Sequence, residues 1–365
     1  MKLRRVLAFM RKETLEILRD PITVGIALVM PLLMLFLFAY AISLDVENAP
    51  LIIVDQDRSA ASRALSEQFL NSGYFKLESA PTDAAEAEHA LMQGRARAVL
   101  FIPEHFARRL ERGEPSPVQF VVDGTYASTA AIVSAYGRAI LYAFPNGGLE
   151  LPVQPEVRVW YNPQLRSRDF IVPGLFAVIL MAFPPLLTAL AVAREKELGT
   201  IAQIYASPLT RTEFIIGKLG PYAVIAFLEL LIVVGGGLFW FQVPMHGSLT
   251  LLIVLGLLYV VCTVSIGLLI STLVRTQLAA MLVALIVTLM PSFLFSGFVY
   301  PIFTMPDFFQ AYSAKIPTMY FMNISRGIVM RGAGLAELWT NVAVLAVYTA
   351  VVLAVAAWRF KKRVA

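Results

Sequence analysis

A single charged side chain interrupts one apolar run of membrane-spanning length. Glu229 is the only charged residue between Pro221 and Val243. A charge at such a position costs on the order of 3 kcal/mol unless it is paired. Glu229 is therefore a candidate relay for protons or cations. The alternative is a hydrogen bond from a protonated carboxyl to a neighbouring helix, and this structural role is favoured.

The other residues that could do chemistry do not form a recognisable site. Asp55, Asp57 and Asp123 follow predicted strands, where many α/β proteins bind ligands, but capping and turn roles are favoured. His89 and His105 lack the spacing of metal ligands. The single cysteine lies in an apolar run, which excludes disulfides and zinc clusters within one chain. We expect no metal site and no catalytic residue.

A nucleotide-binding P-loop is also missing from the sequence. Cradling of phosphates by backbone amides requires the pattern Gly-x-x-x-x-Gly-Lys-Ser/Thr. The stretch "IIGKL" at 215–219 has Thr212 where the first glycine should stand. We expect this chain not to be an enzyme and to bind no cofactor of its own.

The composition predicts the elements that must carry these residues. Hydrophobic residues make up 58% of the chain and charged residues 15%, and the mean hydropathy is +0.71, which is typical of a membrane protein. Irregular backbone cannot face lipid, and ten-residue alternating segments are absent, so the long apolar runs are predicted as helices rather than barrel strands. Six runs reach the roughly 20 residues that a spanning helix needs: Ile22–Leu44, Phe170–Ala193, Pro221–Val243, Leu249–Val274, Gln277–Tyr300 and Leu338–Trp358. The fold class is therefore an α-helical polytopic membrane protein, with the first spanning helix in residues 21–44 and the other five in residues 170–365.

The basic residues predict the orientation, because translocation of Lys and Arg in short flanking segments is disfavoured. They form clusters that fall on one side of the membrane: Lys2, Arg4, Arg5, Arg11, Lys12 and Arg19; Arg194, Lys196, Arg211 and Lys218; Arg275; and Arg359, Lys361, Lys362 and Arg363. Both termini are then cytoplasmic, and residues 45–169 and 301–337 lie outside. Lys315, Arg326 and Arg331 in the second outer segment depart from the rule. We expect a multi-pass protein of the bacterial cytoplasmic membrane with a periplasmic domain at 45–169, and no nucleic-acid partner.

Residues 45–169 alternate between strand and helix patterns. The strands are predicted at "PLIIVDQ", "YFKLES", "ARAVLFIP" and "VQFVVDG", with helices between and after them. Asp57 is a candidate N-cap of the first helix, and Gly73 its stop. This order predicts a compact α/β domain with a substantially parallel sheet.

Residues 1–20 precede the first run with a helical amphipathic pattern. Apolar and basic residues fall on opposite faces, which predicts a helix in the cytoplasmic interface that ends at Asp20-Pro21. The alternatives are an ordinary charged leader and a cleaved signal peptide, for which "AYA" at 39–41 mimics a cleavage site.

A charged stretch separates the second and third runs. Residues 194–214 contain "REKE", a Gly199-Thr200 break and a short helical pattern up to Pro208, and "TRTEFIIGK" then restarts a helix with Thr210 or Thr212 as the cap and Glu213 in its first turn. A short exposed helix between two membrane helices has little core of its own. This element is suited to docking another protein.

Here the residues carry a family resemblance. "REKELGTIAQIYASPLTRTEFIIGKLGP" is similar to the loop of ABC-2 type permeases, the membrane subunits of ABC exporters. "VDQDRSAASRAL", "ARAVLFIPEHFARRLERGEP" and "IPTMYFMNISRGIVMRGAG" resemble corresponding stretches of the long-ectodomain branch, so the likeness covers essentially the whole chain.

The resemblance implies a half-transporter of the type V ABC exporter kind. A separate ATPase subunit would bind ATP and Mg²⁺, a second six-span permease, identical or paralogous, would complete the pathway, and a periplasmic membrane-fusion adaptor could join the outer domain. The coupling element that fits the ATPase is carried over to these residues: Glu195, Glu197, Gly199, Thr200, Ile201, Ile204, Tyr205 and Pro208. The alternative is that the glutamates only cap and anchor the second spanning helix.

The resemblance also places spans two and five at the dimer axis. Proline residues near the middle of both spans can free carbonyls that line a cavity. The candidate cavity residues are Phe183, Leu187, Met290, Phe293 and Phe295. Core packing is the alternative for each of them. Residues 301–337, rich in aromatics and proline, are predicted as broken helices that dip into the outer leaflet.

Three functions remain open from the sequence. The first is an ATP-driven export permease that moves a hydrophobic or amphipathic compound, drug-like or lipid-like, out of the cytoplasm or the inner membrane. The second is a proton-coupled secondary transporter that uses Glu229. The third is a membrane-tethered sensor whose α/β domain binds a ligand.

Overall fold

The chain forms two compact units. The computed structural model describes residues 3–41, 48–114, 116–124, 127–144, 166–200 and 209–359. One unit combines Met1–Ile42 with Trp160–Ala365, and the other is Ser43–Val159. The predicted end of the inserted unit at residue 169 stays a prediction, since residues 145–165 lie outside the described residues.

Among the described residues, six helices are long and apolar enough to cross a membrane, as predicted. They are span 1 (Pro21–Ala41), span 2 (Ser167–Glu197), span 3 (Thr212–Trp240), span 4 (Leu249–Leu273), span 5 (Gln277–Phe295) and span 6 (Leu335–Arg359). Spans 2 and 3 are longer than their apolar runs, because charged residues at their ends are also helical.

A capping box starts the helix of span 3. The Thr210 hydroxyl accepts a hydrogen bond from the Glu213 amide at 3.3 Å, and the Glu213 carboxylate accepts one from the Thr210 amide at 2.9 Å. These bonds satisfy two of the amides that a helix start leaves free. The predicted cap is confirmed, and Lys218 consequently lies inside the helix rather than in a loop.

Successive spans run in opposite directions, so their helix ends form two groups at opposite ends of the bundle. One group, which we call the charged end, contains the start of spans 1, 3 and 5 and the end of spans 2, 4 and 6. Contacts confirm this grouping, since Arg194 of span 2 lies 2.8 Å from Asp20 and Lys196 bonds to Val274 O at 3.0 Å.

Span 2 lies at the centre of this unit. Nearly all side chains from Ile171 to Ala189 are buried, and the helix contacts spans 1, 3, 4 and 5. Gly267 of span 4 lies directly against the backbone of Pro185, where a Cβ atom would clash. Three prolines interrupt the hydrogen bonds of this helix, and close packing surrounds it on every side.

A helix at the N-terminus, α1 (Leu3–Arg19), packs onto span 3. The Phe9 ring lies 5.5 Å from the Phe214 ring, and a Cβ atom on Gly217 would come within 2.6 Å of Phe9. Only glycine leaves room for this approach. The buried face of α1 is Val6, Phe9, Glu13 and Ile17.

The segment before span 6 is broken into short helices, as predicted. A 3₁₀ turn (Ile302–Thr304) precedes two helices, Asp307–Ser313 and Pro317–Arg331. The guanidinium of Arg326 donates to Phe170 O at 3.2 Å and Gly297 O at 2.8 Å. The positive charge that departs from the orientation rule is thus satisfied by backbone carbonyls, and the position of the segment in the outer leaflet stays a prediction.

The inserted unit alternates strands with helices. Its elements are β1 (Ala49–Asp55), α2 (Ala60–Asn71), β2 (Phe75–Ser79), α3 (Ala84–Met92), β3 (Ala98–Ile102), α4 (Phe106–Glu111), β4 (Gln119–Val122) and α5 (Ala127–Ala143). The sheet order is β2-β1-β3-β4, in which β1 is parallel to β2 and β3, and β4 is antiparallel to β3. The expectation of a parallel sheet holds for the first three strands only.

Aspartates at the strand ends cap local structure. Ser59, not Asp57, is the N-cap of α2, so the predicted cap was wrong by two residues. The Asp57 carboxylate instead accepts a hydrogen bond from the Ala107 amide at 3.0 Å, at the start of α4. Burial alone would raise the pKa of Asp57, but hydrogen bonds from Ser59 and from the α4 amides hold it below its usual range. Asp123 pairs with Arg97 at 2.7 Å. The favoured capping and turn roles fit all these contacts.

Replacement of Asp57 by Ala should loosen α4 specifically. Loss of an N-cap costs about 1 kcal/mol, which corresponds to roughly five-fold faster amide exchange. Hydrogen exchange of the full chain should show this increase in Phe106–Glu111. Asp83→Ala is the matched control, because Asp83 caps α3 through the Ala85 amide at 3.1 Å; it should affect α3 alone. Faster exchange in α2 instead of α4 would contradict the assignment.

Candidate coupling site at the charged end

The charged side chains in the last turn of span 2 contact different elements of the fold. Successive residues of a helix are about 100° apart, so four in a row point around the axis. Arg194 binds Asp20, between α1 and span 1, at 2.8 Å. The Glu197 carboxylate accepts hydrogen bonds from the Gln277 amide at 2.8 Å and from its side chain at 3.2 Å, at the start of span 5. Lys196 donates to Ser271 O and to Val274 O, at the end of span 4.

Glu195 belongs to a cluster of alternating charges. Its Oε1 lies 3.0 Å from Lys12 Nζ of α1 and 3.0 Å from Lys218 Nζ of span 3. Lys218 Nζ also lies 2.7 Å from Glu13 Oε2. We call Lys12, Glu13, Glu195 and Lys218 the charge cluster.

Three of the four members of the charge cluster are buried, and the fourth, Lys12, is 42% exposed at the edge of the cluster. The side chains of Lys218 and Glu13 are each 1% exposed, and that of Glu195 is 8% exposed. Burial raises the pKa of Glu13, against the opposing attraction of Lys218. Burial lowers the pKa of Lys12, but bonds and charges from Glu16, Glu13 and Glu195 raise it overall. Mutual neutralisation is what allows these groups to leave water.

The loop between spans 2 and 3 is held at both ends. Gly199 has a φ of 73°, a left-handed conformation that suits glycine after a helix end. The Thr200 hydroxyl donates to Glu195 O at 3.3 Å. The capping box at Thr210 holds the other end. The predicted docking residues Ile201, Ile204, Tyr205 and Pro208 lie outside the described residues.

Both ends of the predicted coupling element at 194–214 belong to spanning helices. Residues 194–197 continue the helix of span 2, and Arg211 begins the helix of span 3. Glu195 and Glu197 contact their own chain, which fits the anchoring alternative for these two glutamates. The arrangement can transmit a displacement of the loop to α1 and to spans 3, 4 and 5.

Four members of this site were not singled out by sequence reasoning: Lys12, Glu13, Lys218 and Gln277. The two lysines were counted only as basic residues that set the orientation. A signal existed for Glu13, since it shares helical spacing with the apolar Val6, Phe9 and Ile17. A carboxylate on a buried helix face requires a cationic partner, and the sequence alone does not identify which lysine or arginine that partner is.

The predicted cavity residues do not form one cluster. Phe183 and Leu187 are buried in the core around span 2. Met290 is 57% exposed on span 5. Phe293 packs against Phe38 with ring centroids 5.2 Å apart, and Phe295 stacks on Phe309 at 5.2 Å. Their role in a pathway between two subunits stays a prediction.

Glu229 is fully buried in span 3. Neither carboxyl oxygen has a hydrogen-bond partner among the described residues. About two turns further along span 3, Gly236 lies against Leu35 of span 1 and Gly237 lies against Phe176 of span 2. Next to Glu229, Leu230 lies against Gly256 of span 4, so span 3 packs against spans 1, 2 and 4 in this region.

A proline in span 1 leaves a carbonyl near the depth of Glu229. The Trp240 indole of span 3 donates to the Tyr40 hydroxyl of span 1 at 3.1 Å, so these two residues lie at a similar depth. Spans 1 and 3 run in the same direction. Counting the same number of residues back along both helices places Glu229 level with residue 29. Pro31 has no amide hydrogen, and the carbonyl of the buried Ala27 lacks its usual helical partner. The two groups lie within about one helical turn of each other in depth.

Replacement of Lys218 by Met should destabilise the chain strongly. Removal of one partner from a buried ion pair typically costs about 3–5 kcal/mol, because the other charge stays buried. Thermal unfolding of the purified chain in detergent measures the loss. Arg194→Gln is the control, since an exposed pair contributes roughly 0–1 kcal/mol. Equal effects of the two substitutions would show that the charge cluster does not stabilise the fold.

Comparison with known proteins agrees with this architecture. The family described as "ABC-2 family transporter protein" matches residues 21–358. Over 338 residues the chain is 35% identical to the probable multidrug ABC transporter permease YbhS of Escherichia coli, covering 90% of this chain and 89% of that protein. It is 32% identical over 365 residues to the probable multidrug ABC transporter permease YbhR of the same organism, covering 99% of both chains. It is also 28% identical over 329 residues to the inner membrane transport permease YhhJ, covering 87% of this chain and 86% of that one. Six spans, the inserted α/β unit and these matches establish that the chain belongs to the ABC-2 family of membrane permeases.

Proposed function

We infer that the chain is the permease subunit of an ATP-driven exporter and that residues 201–208 dock onto a separate ATPase subunit. ATP and Mg²⁺ would bind to that partner. The observation that carries this proposal is the charge cluster, which links the base of the docking loop to α1 and span 3.

A docking loop is useful only if its motion reaches the membrane helices. Glu195 and Lys218 lie on opposite sides of the loop, and their 3.0 Å ion pair closes its base. Lys196 and Glu197 extend the connection to spans 4 and 5. Closure of an ATPase dimer against residues 201–208 would thus move the ends of several spans together.

The N-terminal helix supports placement of this end at a membrane surface. Leu3, Leu7 and Leu18 form an exposed apolar stripe on α1, next to the face that packs on span 3. Arg4 and Arg11 follow on the adjoining exposed side. An apolar stripe bordered by arginines is typical of a helix at the boundary of acyl chains and headgroups. The basic clusters at this end favour the cytoplasmic side of the membrane, so the proposal places this end in the cytoplasm and residues 45–169 in the periplasm.

The cargo that fits best is a hydrophobic or amphipathic compound, drug-like or lipid-like. Span 5 presents an exposed apolar surface that includes Ile286, Val287 and Met290. A second six-span permease, identical or paralogous, would cover this surface and form the pathway with it. The names of YbhS and YbhR as probable multidrug permeases support this cargo class. A periplasmic adaptor on the inserted unit is part of the same proposal.

Charge placed in the loop should abolish ATPase binding without unfolding the chain. The variant combines Ile204→Asp with Tyr205→Asp, whose acidic side chains would oppose an apolar groove. We expect co-purification of the ATPase subunit to fall at least ten-fold, with an unchanged melting temperature. The control Arg109→Asp places an acidic side chain at an exposed position of α4 in the inserted unit, which belongs to no proposed site. Retained co-purification by the loop variant would remove the docking assignment.

A proton-coupled secondary transporter is the second candidate function, because Glu229 is a buried carboxyl without a partner among the described residues. This candidate requires transport by the chain alone under a pH gradient, without nucleotide, and loss of transport in Glu229→Gln. The structural alternative is a protonated Glu229 that hydrogen-bonds to a neighbouring helix. The structure shows no such bond among the described residues, and the acceptor that we propose is the carbonyl of Ala27, which Pro31 leaves without its helical partner.

The two roles of Glu229 predict different mutant behaviour. For the structural role, Glu229→Gln should keep the melting temperature, since an amide also donates, and Glu229→Leu should lower it by about 3 °C, as a lost buried hydrogen bond of roughly 1 kcal/mol does. Pro31→Ala restores the amide hydrogen that bonds the carbonyl of Ala27 within the helix, so Glu229 is no longer needed as a donor. In that background Glu229→Leu should therefore lower the melting temperature by less. An unchanged penalty there would exclude Ala27 as the acceptor. Pro291→Ala in span 5 is the control background.

A further inference from the structure

An open cavity lies at the charged end, between the ends of spans 2, 4 and 6. Its volume is about 450 Å³, and its lining is Lys196, Thr272, Leu273, Val274, Arg275 and Arg359. Three of these side chains are basic. No acidic side chain lines the cavity in the part of the chain that the structure describes.

The basic side chains of this cavity have unused hydrogen-bond donors. The Lys196 ammonium has three N–H groups, two of which are directed at Ser271 O and Val274 O. Arg275 and Arg359 form no ion pair with any described acid, and each guanidinium carries five N–H groups. The charge cluster next to the cavity uses its acids for its own lysines. The cavity therefore keeps donors and positive charge for a ligand.

Helix dipoles do not neutralise these three cations. Spans 2, 4 and 6 all end here, and each C-terminus carries roughly half a negative charge. Three full positive charges exceed this by about one and a half charges. An anion is the ligand that fits this electrostatic field.

The surroundings of the cavity point to the membrane as the source of the anion. Leu273 is 58% exposed and precedes Arg275, and Trp358 is 71% exposed and precedes Arg359. Tryptophan is enriched at the level of the lipid headgroups. Basic pockets between the cytoplasmic ends of membrane helices are suited to anionic lipid headgroups.

We propose that this cavity binds the phosphate headgroup of an anionic phospholipid through Lys196, Arg275 and Arg359. A bound headgroup would link the ends of spans 2, 4 and 6 by charge-assisted hydrogen bonds. Lys196 adjoins Glu195 of the charge cluster, so the lipid would also stiffen the turn from which the docking loop departs. The proposal rests on the membrane placement of the spans and is independent of ATPase docking.

Lipid titration of the full chain in detergent tests this site. The probes are dioleoyl phosphatidylglycerol, dioleoyl phosphatidylcholine and inorganic phosphate, and the readouts are the melting temperature and the lipid retained per chain in native mass spectrometry. Phosphatidylglycerol should raise the melting temperature and remain bound at one molecule per chain. Phosphatidylcholine, whose headgroup has no net charge, should do neither.

Substitution of the two arginines should weaken this binding. Each basic residue near the lipid surface contributes about 1 kcal/mol, so Arg275→Gln with Arg359→Gln should reduce the apparent affinity on the order of thirty-fold. The control Arg108→Gln with Arg109→Gln removes the same charge from exposed positions of α4 and should leave the affinity unchanged. Arg275→Lys with Arg359→Lys keeps the charges and should retain most of the binding.

Three results would overturn the proposal. One is equal stabilisation by phosphatidylcholine. Another is full phosphatidylglycerol affinity in the double glutamine variant with an unchanged melting temperature. The third is the same effect from inorganic phosphate at matched concentration, which would make the cavity a site for a soluble anion. None of these results bears on the loop variants, so failure here is distinguishable from failure of ATPase docking.

Discussion

The ion pairs of Lys218 are the interaction on which the membrane unit depends. Lys218 lies inside span 3 with a side chain that is 1% exposed, and it contacts Glu13 at 2.7 Å and Glu195 at 3.0 Å. An isolated ammonium in that position would be severely unstable, because the hydration it loses is not replaced. The two carboxylates make its burial possible. In turn, the lysine fixes α1 and span 2 against span 3, since a buried charge tolerates little movement of its partners.

This constraint explains why the charged motif of span 2 is so dense. A helix that ends in contact with α1 and with spans 3, 4 and 5 needs a polar group on each side of its last turn. Arg194, Glu195, Lys196 and Glu197 provide one group for each direction. Charge at this position is therefore structural first. If residues 201–208 dock onto an ATPase subunit, as we propose, the same contacts would also transmit movement of that segment to several helices rather than to one.

Local patterns predicted much of the fold correctly. The six spans, the alternation of strands and helices in the inserted unit, the cap of span 3 at Thr210 and the helix break at Gly199 all depend on residues that are close in the sequence. The predictions were wrong where two nearby residues could fill the same structural role. Asp57 and Ser59 are both good caps, and the chain geometry after β1 selects Ser59. Strand direction has no local signal either, so the antiparallel β4 was not foreseen.

The sequence by itself determined the class of protein: apolar length dictates six helices in a membrane, and the scarcity of charge marks the stretch at 194–214 as special. Only the tertiary structure decided what that charge does. Lys218 and Glu13 are 205 positions apart in the chain, and no periodicity or capping rule connects such residues. Their pairing results from helix packing, in which Gly217 lets α1 approach span 3 closely enough for the two charges to meet. The convergence of Arg275 and Arg359 on one cavity has the same origin, because helix ends that are distant in sequence become neighbours only when the bundle closes.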